Sequence, residues 1–375
     1  MPPISALIKP ASGNCNMHCD YCFYSDEQSK REIANHGIMS EKTLNNIMRK
    51  VLFHSKGYCT IAFQGGEPTL AGLDFFKKVV ELGEKYNKNG LRINYALQTN
   101  GYHLDENWCR FFKDNGFLIG LSVDGTKEIH DKYRHSKELK PTYEKVRSAA
   151  KLMDLIGVDY NILTVVHKDV AMNIEKIYQD YKKNGWRYQQ YIACLDPLYE
   201  APGQHEYSLL PHEYGRFLIR LFQLWHEDFN QNRQPYIRQF ENYIAMLLGQ
   251  PPESCDQRGT CGLQYVFESD GSAYPCDFYM LDDYCLGNIN DTIIDKIDEQ
   301  RKKSRFIEKS IMLSTMCRDC EFFGLCKGGC MRCRQSLDGS NYINYFCEGY
   351  KEFFKECLPE LREIANTVKK RIQKT

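Results

Sequence analysis

Neither sign of charge predominates in this chain: Lys and Arg together number 49, and so do Asp and Glu. Without a bulk field of one sign, neither nucleic acid nor an anionic membrane surface is expected as a partner. No apolar run approaches the roughly twenty residues that a membrane span needs. The first ten residues lack the basic region and long apolar region of a secretory signal. Low-complexity tracts and solenoid repeats are also missing, and the absences together point to a cytoplasmic protein. What the chain has in quantity is cysteine, 17 in 375 residues, with eleven of them after residue 250. In a secreted protein that number suggests disulfides, whereas in a reducing compartment it suggests metal ligation. The length, with 42 % hydrophobic residues, accommodates one large domain followed by a smaller, cysteine-rich one.

Cys15, Cys19 and Cys22 form a Cys-x3-Cys-x2-Cys run. Three thiolates cannot fill the four iron corners of a [4Fe–4S] cluster, so this spacing leaves one iron open, and an open position is where chemistry occurs. The competing reading is a zinc knuckle that borrows a fourth ligand from elsewhere, although no His-x3-His or Cys-x2-Cys partner lies nearby.

Through the first 200 residues, apolar or β-branched runs alternate with helical spacing. Strands are expected at 5–8, 59–64, 93–98, 117–123, 159–166 and 188–195. Helices are expected at 41–53, 74–86, 106–115, 143–156 and 172–184, with Asn115-Gly116 and Asn184-Gly185 as stop signals. Such alternation implies an α/β fold with a parallel sheet covered by helices, either doubly wound or barrel-like. Unusual polar or Gly-rich segments fall just after the strands: the cysteine loop, Gly65-Gly66-Glu67-Pro68, Thr99-Asn100-Gly101, Asp124-Gly125 and His167-Lys168. Turns anywhere collect such residues, but together these mark the carboxyl edge where α/β sites sit.

The Cys-x3-Cys-x-aromatic-Cys run, with Tyr21 as the aromatic, resembles the signature of radical S-adenosylmethionine (SAM) enzymes. The resemblance implies a partial (β/α)6 TIM-like barrel and a cluster whose open iron chelates the amino and carboxylate groups of SAM. Gly65-Gly66-Glu67-Pro68 resembles that family's SAM-binding loop, with Gly66 and Glu67 as the candidate contacts. Ser122 in Ser122-Val123-Asp124-Gly125, followed by Arg134, resembles the family's ribose- and carboxylate-binding pattern; a lone Arg otherwise reads as a solvated helix residue. Leu195 and Tyr21 are candidate adenine contacts, with core packing the other reading for Leu195. Gln64, Gln98, Asn100 and His167 are candidate substrate-side polar groups.

Beyond residue 250, Cys317-x2-Cys320-x5-Cys326-x3-Cys330 is followed by Cys347 and preceded by Cys255, Cys261 and Cys276. Eight cysteines suffice for two further [4Fe–4S] clusters; structural zinc is the alternative. The layout resembles the SPASM domain of peptide-modifying radical SAM enzymes. By that resemblance Cys255, Cys261, Cys276 and Cys330 hold one auxiliary cluster, and Cys317, Cys320, Cys326 and Cys347 the other, with Cys333 a rival ligand to Cys330. Cys59, Cys109 and Cys194 read as small core residues. The expected organisation is a barrel over 1–235, a SPASM domain with bridging helices over 236–348, and a solvated, basic-ended C-terminal helix over 349–375.

Along almost the whole chain the closest resemblance is to anaerobic sulfatase-maturating enzymes, down to Cys276-Asp277-Phe278-Tyr279. It implies oxidation of a Cys or Ser side chain in a sulfatase polypeptide to Cα-formylglycine. Three [4Fe–4S] clusters, SAM and a reducing donor such as flavodoxin or ferredoxin are implied with it. Asp277 is the candidate base, since it places proton acceptance beside the cluster ligand Cys276; on sequence alone it reads as a turn residue. Tyr24 is the weaker candidate. Two other readings stand beside this one. A different SPASM peptide modifier, forming thioether or carbon–carbon crosslinks, is disfavoured because Cys15 lies too near the N-terminus for an added peptide-binding domain. A multi-cluster electron carrier needs neither an open three-Cys site nor a barrel.

Overall fold

The computed structural model describes residues 3–339 and 341–373. Six strands follow the six apolar runs in order: β1 (Ile4–Ile8), β2 (Tyr58–Phe63), β3 (Arg92–Thr99), β4 (Phe117–Ser122), β5 (Tyr160–Val166) and β6 (Tyr188–Ala193). All neighbours are parallel and lie in chain order, the arrangement that strand–helix–strand crossovers produce. Period-2 burial accounts for the pairing: in β2, Cys59, Ile61 and Phe63 are buried, while the residues between them are more exposed.

Among the helices are α1 (Phe23–Ser29), α2 (Glu41–His54), α3 (Leu73–Tyr86), α4 (Glu106–Asp114), α5 (Tyr143–Ile156), α6 (Ile174–Lys183), α7 (Pro211–Phe229), α8 (Arg238–Leu247) and α9 (Cys347–Ile372). Ser40 and Asp105 cap α2 and α4 by accepting from Thr43 N and Trp108 N. The helix expected over 172–184 is interrupted: a short turn, Lys168–Met172, ends where the Asn173 amide donates to Asp169 O, and α6 begins after it. Gly116 and Gly185 take positive φ (63° and 74°) behind their helices, as the stop signals require.

The two end strands of the sheet are not neighbours, so the barrel is partial. Both edges are extended by later residues. β7 (Tyr236–Ile237) adds beside β6. β8 (Tyr265–Phe267) runs parallel to β1, with Ala6 opposite Tyr265 and Ile8 opposite Phe267, and β9 (Ala273–Tyr274) pairs back on it. Residues from the cysteine-rich part therefore extend the barrel sheet and carry Cys276 and Asp277 to its edge.

The C-terminal helix is not solvated, as its basic end had suggested. Phe353, Phe354, Cys357, Leu358, Leu361, Ile364 and Ala365 of α9 are buried, and the helix packs along α7. The crossing is made at two glycines: a Cβ on Gly349 would lie 2.2 Å from Pro211 O, and one on Gly215 would lie 2.8 Å from Gly349 Cα. Close backbone approach excludes a side chain at either position.

Candidate active site

The cysteine loop is assembled by backbone contacts between strand ends. After β1 the chain turns through Ser12 (φ 48°), and Asn14 O accepts from Glu67 N at 2.8 Å. A Cβ on Gly66 would lie 2.2 Å from the same Asn14 oxygen, so the glycine loop lies directly against the backbone preceding Cys15. Glu67 is buried, and its carboxylate accepts from Thr69 N (3.1 Å), Thr69 Oγ1 (2.7 Å), Thr99 Oγ1 (2.8 Å) and Asn100 N (2.8 Å). Burial raises its pKa, and these donors oppose the shift. The Glu67 side chain thus ties the ends of β2 and β3 together. Asn100 in turn donates to Asn16 Oδ1 at 2.8 Å, with its amide nitrogen 3.8 Å from Cys15 Sγ.

Arg134 reaches the same place from the other side. A short antiparallel pairing sets Cys19 opposite Arg134. The guanidinium donates to Tyr21 Oη at 3.0 Å and lies 3.6 Å from the Asp124 carboxylate, while Tyr21 Oη donates to Asp124. Arg134 Nε is buried without a partner, an orphan cationic donor beside the three thiols. Burial pushes the Cys15 thiol up to about 11 and the Cys19 thiol up to about 12; Arg134 opposes both shifts. Such thiols ligate as thiolates only when a metal centre supplies the compensating charge. Ser122 ends β4. Leu195, two residues beyond β6, lines a 260 Å³ cavity together with Cys19, Tyr21 and Cys22. His167 stacks on Tyr21 at 5.5 Å, and both its ring nitrogens are buried without partners; burial lowers its pKa to about 4, so the ring is neutral.

The later cysteines separate into two groups. Cys255, Cys261, Cys276 and Cys330 line one 60 Å³ cavity with Asp277. Cys317, Cys320, Cys326 and Cys347 lie within electrostatic reach of one another. Between them the chain turns at Gly328 and Gly329 (φ 76° and 60°), and Arg334 donates to both carbonyls, at 3.0 and 2.7 Å. Cys333, the rival to Cys330, hydrogen-bonds with the Cys330 thiol and is not among the residues lining that cavity. Among the described residues no three His, Cys, Asp or Glu groups converge closely enough for a single metal ion. A [4Fe–4S] cube spreads its thiolates over different irons and suits the wider spacing.

Asp277 is brought to the cysteine loop by an aromatic pair. Phe23, next to Cys22, meets Phe278, next to Asp277, edge to face at 4.7 Å. Behind the pair lies a buried charged layer that the sequence reading missed. Tyr24 Oη and Arg31 donate to the Glu268 carboxylate at 2.7 and 2.8 Å, and Lys9 Nζ sits 4.5 Å over the Tyr24 ring. Tyr24 is therefore no ready base: its hydroxyl is engaged by Glu268, and burial holds its pKa well above the usual value. The one sequence signal for this layer is Lys9 directly after an apolar strand.

A model of the radical SAM superfamily matches residues 10–181, and a model of an iron–sulfur cluster-binding domain, SPASM, matches residues 260–321. A cysteine-type anaerobic sulfatase-maturating enzyme of Clostridium perfringens is 46% identical over 370 residues, covering 98% of this chain and 100% of its own. A serine-type enzyme of Bacteroides thetaiotaomicron is 30% identical, with 95% and 90% covered. The solved structure of native anSMEcpe with bound AdoMet and Cp18Cys peptide superposes with a TM-score of 0.93 at 45% identity, over 98% of this chain and 100% of that one. Streptococcus suis SuiB bound to S-adenosylmethionine shares the fold at a TM-score of 0.60 and 16% identity, covering 88% and 73%. Identity at the first of these levels, along the whole length of both chains, places the protein in the anaerobic sulfatase-maturating enzyme family of the radical SAM superfamily.

Proposed function

We propose that the protein oxidises a cysteine side chain of a sulfatase polypeptide to Cα-formylglycine. The observation that carries this is the Phe23–Phe278 contact, which sets Asp277 and Cys276 against the helix leaving the Cys15/Cys19/Cys22 loop. Hydrogen-atom removal and oxidation of the resulting carbon then share one chamber. Cysteine rather than serine as the target follows the higher identity to cysteine-type relatives, 46% and 42%, against 30% for a serine-type one.

In this reading Cys15, Cys19 and Cys22 hold the first of three [4Fe–4S] clusters. Cys255, Cys261, Cys276 and Cys330 hold the second, and Cys317, Cys320, Cys326 and Cys347 the third. The first cluster with SAM supplies a 5′-deoxyadenosyl radical able to take a hydrogen atom from the substrate Cβ. Arg134 neutralises the SAM carboxylate, using the Nε that has no protein partner. Gly66 and Glu67 bring backbone to the SAM amino group, with the Glu67 side chain holding the loop. Ser122 meets the ribose, and Tyr21 and Leu195 frame the adenine. Once the carbon has lost its hydrogen, it must give up one proton, and one electron to the cluster that Cys255, Cys261, Cys276 and Cys330 would hold, to become a thioaldehyde, which water hydrolyses to the aldehyde with loss of hydrogen sulfide. Asp277 accepts that proton, because oxidation of the carbon acidifies the attached S–H. A reducing protein of the flavodoxin or ferredoxin class supplies the electron that starts each turnover.

The test is anaerobic incubation of the reconstituted enzyme, SAM and dithionite with paired sulfatase-motif peptides carrying Cys or Ser. The expected result is formylglycine from the Cys peptide by mass spectrometry, with the Ser peptide slower. An unmodified Cys peptide alongside abundant 5′-deoxyadenosine would refute the assignment.

A further inference from the structure

Two buried ionisable side chains on the segments flanking the cysteine loop have no hydrogen-bond partner. Lys9 is fully buried, yet its Nζ makes no hydrogen bond. Glu27 is 1% exposed, and both of its carboxylate oxygens are equally unpartnered. The layer beside them is already engaged: Glu268 accepts from Tyr24 Oη, Arg31 and the Ser269 N–H. The two offset each other's charge, but buried polar atoms without hydrogen-bond partners are costly, so their free donors and acceptors suit an occupant.

Their positions indicate which one. Lys9 is the first residue past β1, at the carboxyl edge of the sheet, and its stem occupies the space beside Gly65, where a Cβ would come within 2.2 Å of Lys9 Cδ. Glu27 lies on α1, the helix that starts directly after Cys22. Asp277 acts electrostatically on both, more strongly on Lys9 than any other charged group does, and on Glu27 second only to Lys9. An amine with three free donors and a carboxyl group with free acceptor oxygens therefore lie on the two segments that flank the cysteine loop, both within electrostatic reach of Asp277. A peptide main chain offers the matching pair, a carbonyl oxygen and an amide N–H.

We propose that Lys9 and Glu27 form a two-point subsite for the substrate main chain beside the target cysteine, Lys9 donating to a carbonyl oxygen and Glu27 accepting from an amide N–H. The proposal rests on the reading above that the substrate is a polypeptide. It makes both residues positioning residues that fix the target Cβ, while the proton goes to Asp277.

An ester scan tests it. In a Cys peptide, each peptide bond within two residues of the target is replaced in turn by an ester, which removes the N–H and weakens the carbonyl as an acceptor. In the wild-type enzyme one ester position should raise KM for the peptide by about tenfold to a hundredfold, the range for losing a hydrogen bond to a charged group. Glu27→Leu should raise KM for the all-amide peptide by a similar factor, and at that ester position the two lesions should not add. Glu27→Gln, which keeps an acceptor, should recover most of the loss, and Lys9→Met should behave like Glu27→Leu. The cluster spectrum of each variant shows whether it is folded and loaded, and the wild-type scan stands without any variant. A flat wild-type scan, or full additivity at every position, would overturn the subsite. A flat scan with weakened SAM binding in both variants would overturn it in favour of SAM as the occupant. Failure of the wild-type enzyme to convert even the all-amide peptide is a different result: it refutes the functional reading itself.

Discussion

Asp277 carries the sharpest prediction at the scale of single residues. Asp277→Asn keeps the shape of the side chain and removes the base. Its 5′-deoxyadenosine formation should persist, while formylglycine yield falls by about 10²-fold or more, the usual worth of a positioned base. A normal aldehyde yield would remove Asp277 from the reaction. His167 gives a pH prediction. The unfolded chain takes up a proton there near pH 6.5, but the folded protein refuses it until about pH 4. The unfolded state thus binds more protons through this window, and stability falls as pH drops through it. Between pH 7 and 5 this single group costs about 2 kcal/mol. In urea unfolding of the anaerobic holoenzyme, His167→Phe, which keeps the stacking on Tyr21, should flatten that part of the decline; an unchanged pH dependence would contradict the argument. Cys15, Cys19 and Cys22 are legible because their spacing lies within one loop, and Arg134 is brought beside them by the pairing that sets it opposite Cys19. Glu27 and Glu268 were not legible, and Lys9 only as a charged residue directly after an apolar strand. A charged residue reads as solvated, and the burial of Tyr24 against Glu268 depends on segments 244 residues apart.

At the scale of elements, periodicity identified all six barrel strands to within two residues at either end, since parallel strands under helices are long apolar runs. β8 was missed because three residues cannot display alternation; its partner β1 defines it. α9 was misread for the opposite reason: its Lys- and Arg-rich end drew attention from the apolar stripe running from Phe353 to Ile364. That stripe leads to a stability prediction. Gly349→Ala should gain helix propensity yet lose about 1–3 kcal/mol, because its methyl enters Pro211 O across the α7 crossing. Gly324→Ala, whose Cβ would meet nothing within 4 Å, is the control and should unfold at nearly the wild-type denaturant midpoint. Equal midpoints for the two variants would mean that the glycine crossing does not hold the helices.

At the scale of the whole molecule, the cysteine-rich part and the barrel share one sheet, so the chamber between them is built from both ends of the chain. No helix among the described residues is long and apolar enough to cross a membrane. The proposed grouping of auxiliary ligands predicts that Cys330→Ala disturbs the cluster of Cys255, Cys261 and Cys276 while leaving that of Cys317, Cys320, Cys326 and Cys347 intact. Iron analysis with Mössbauer spectroscopy should find up to four irons fewer per chain, the content of one cluster. Loss of both auxiliary clusters, or of neither, would contradict that grouping.

In the proposed reaction one chamber removes a Cβ hydrogen and completes the oxidation of the same cysteine. The most direct test is turnover of a sulfatase-motif peptide whose target cysteine carries deuterium at both Cβ positions. Deuterium is expected in the 5′-deoxyadenosine, together with a formylglycine that retains the other deuterium, the two formed in step. Formylglycine with no deuterium in 5′-deoxyadenosine, or labelled 5′-deoxyadenosine with an unoxidised peptide, would contradict it.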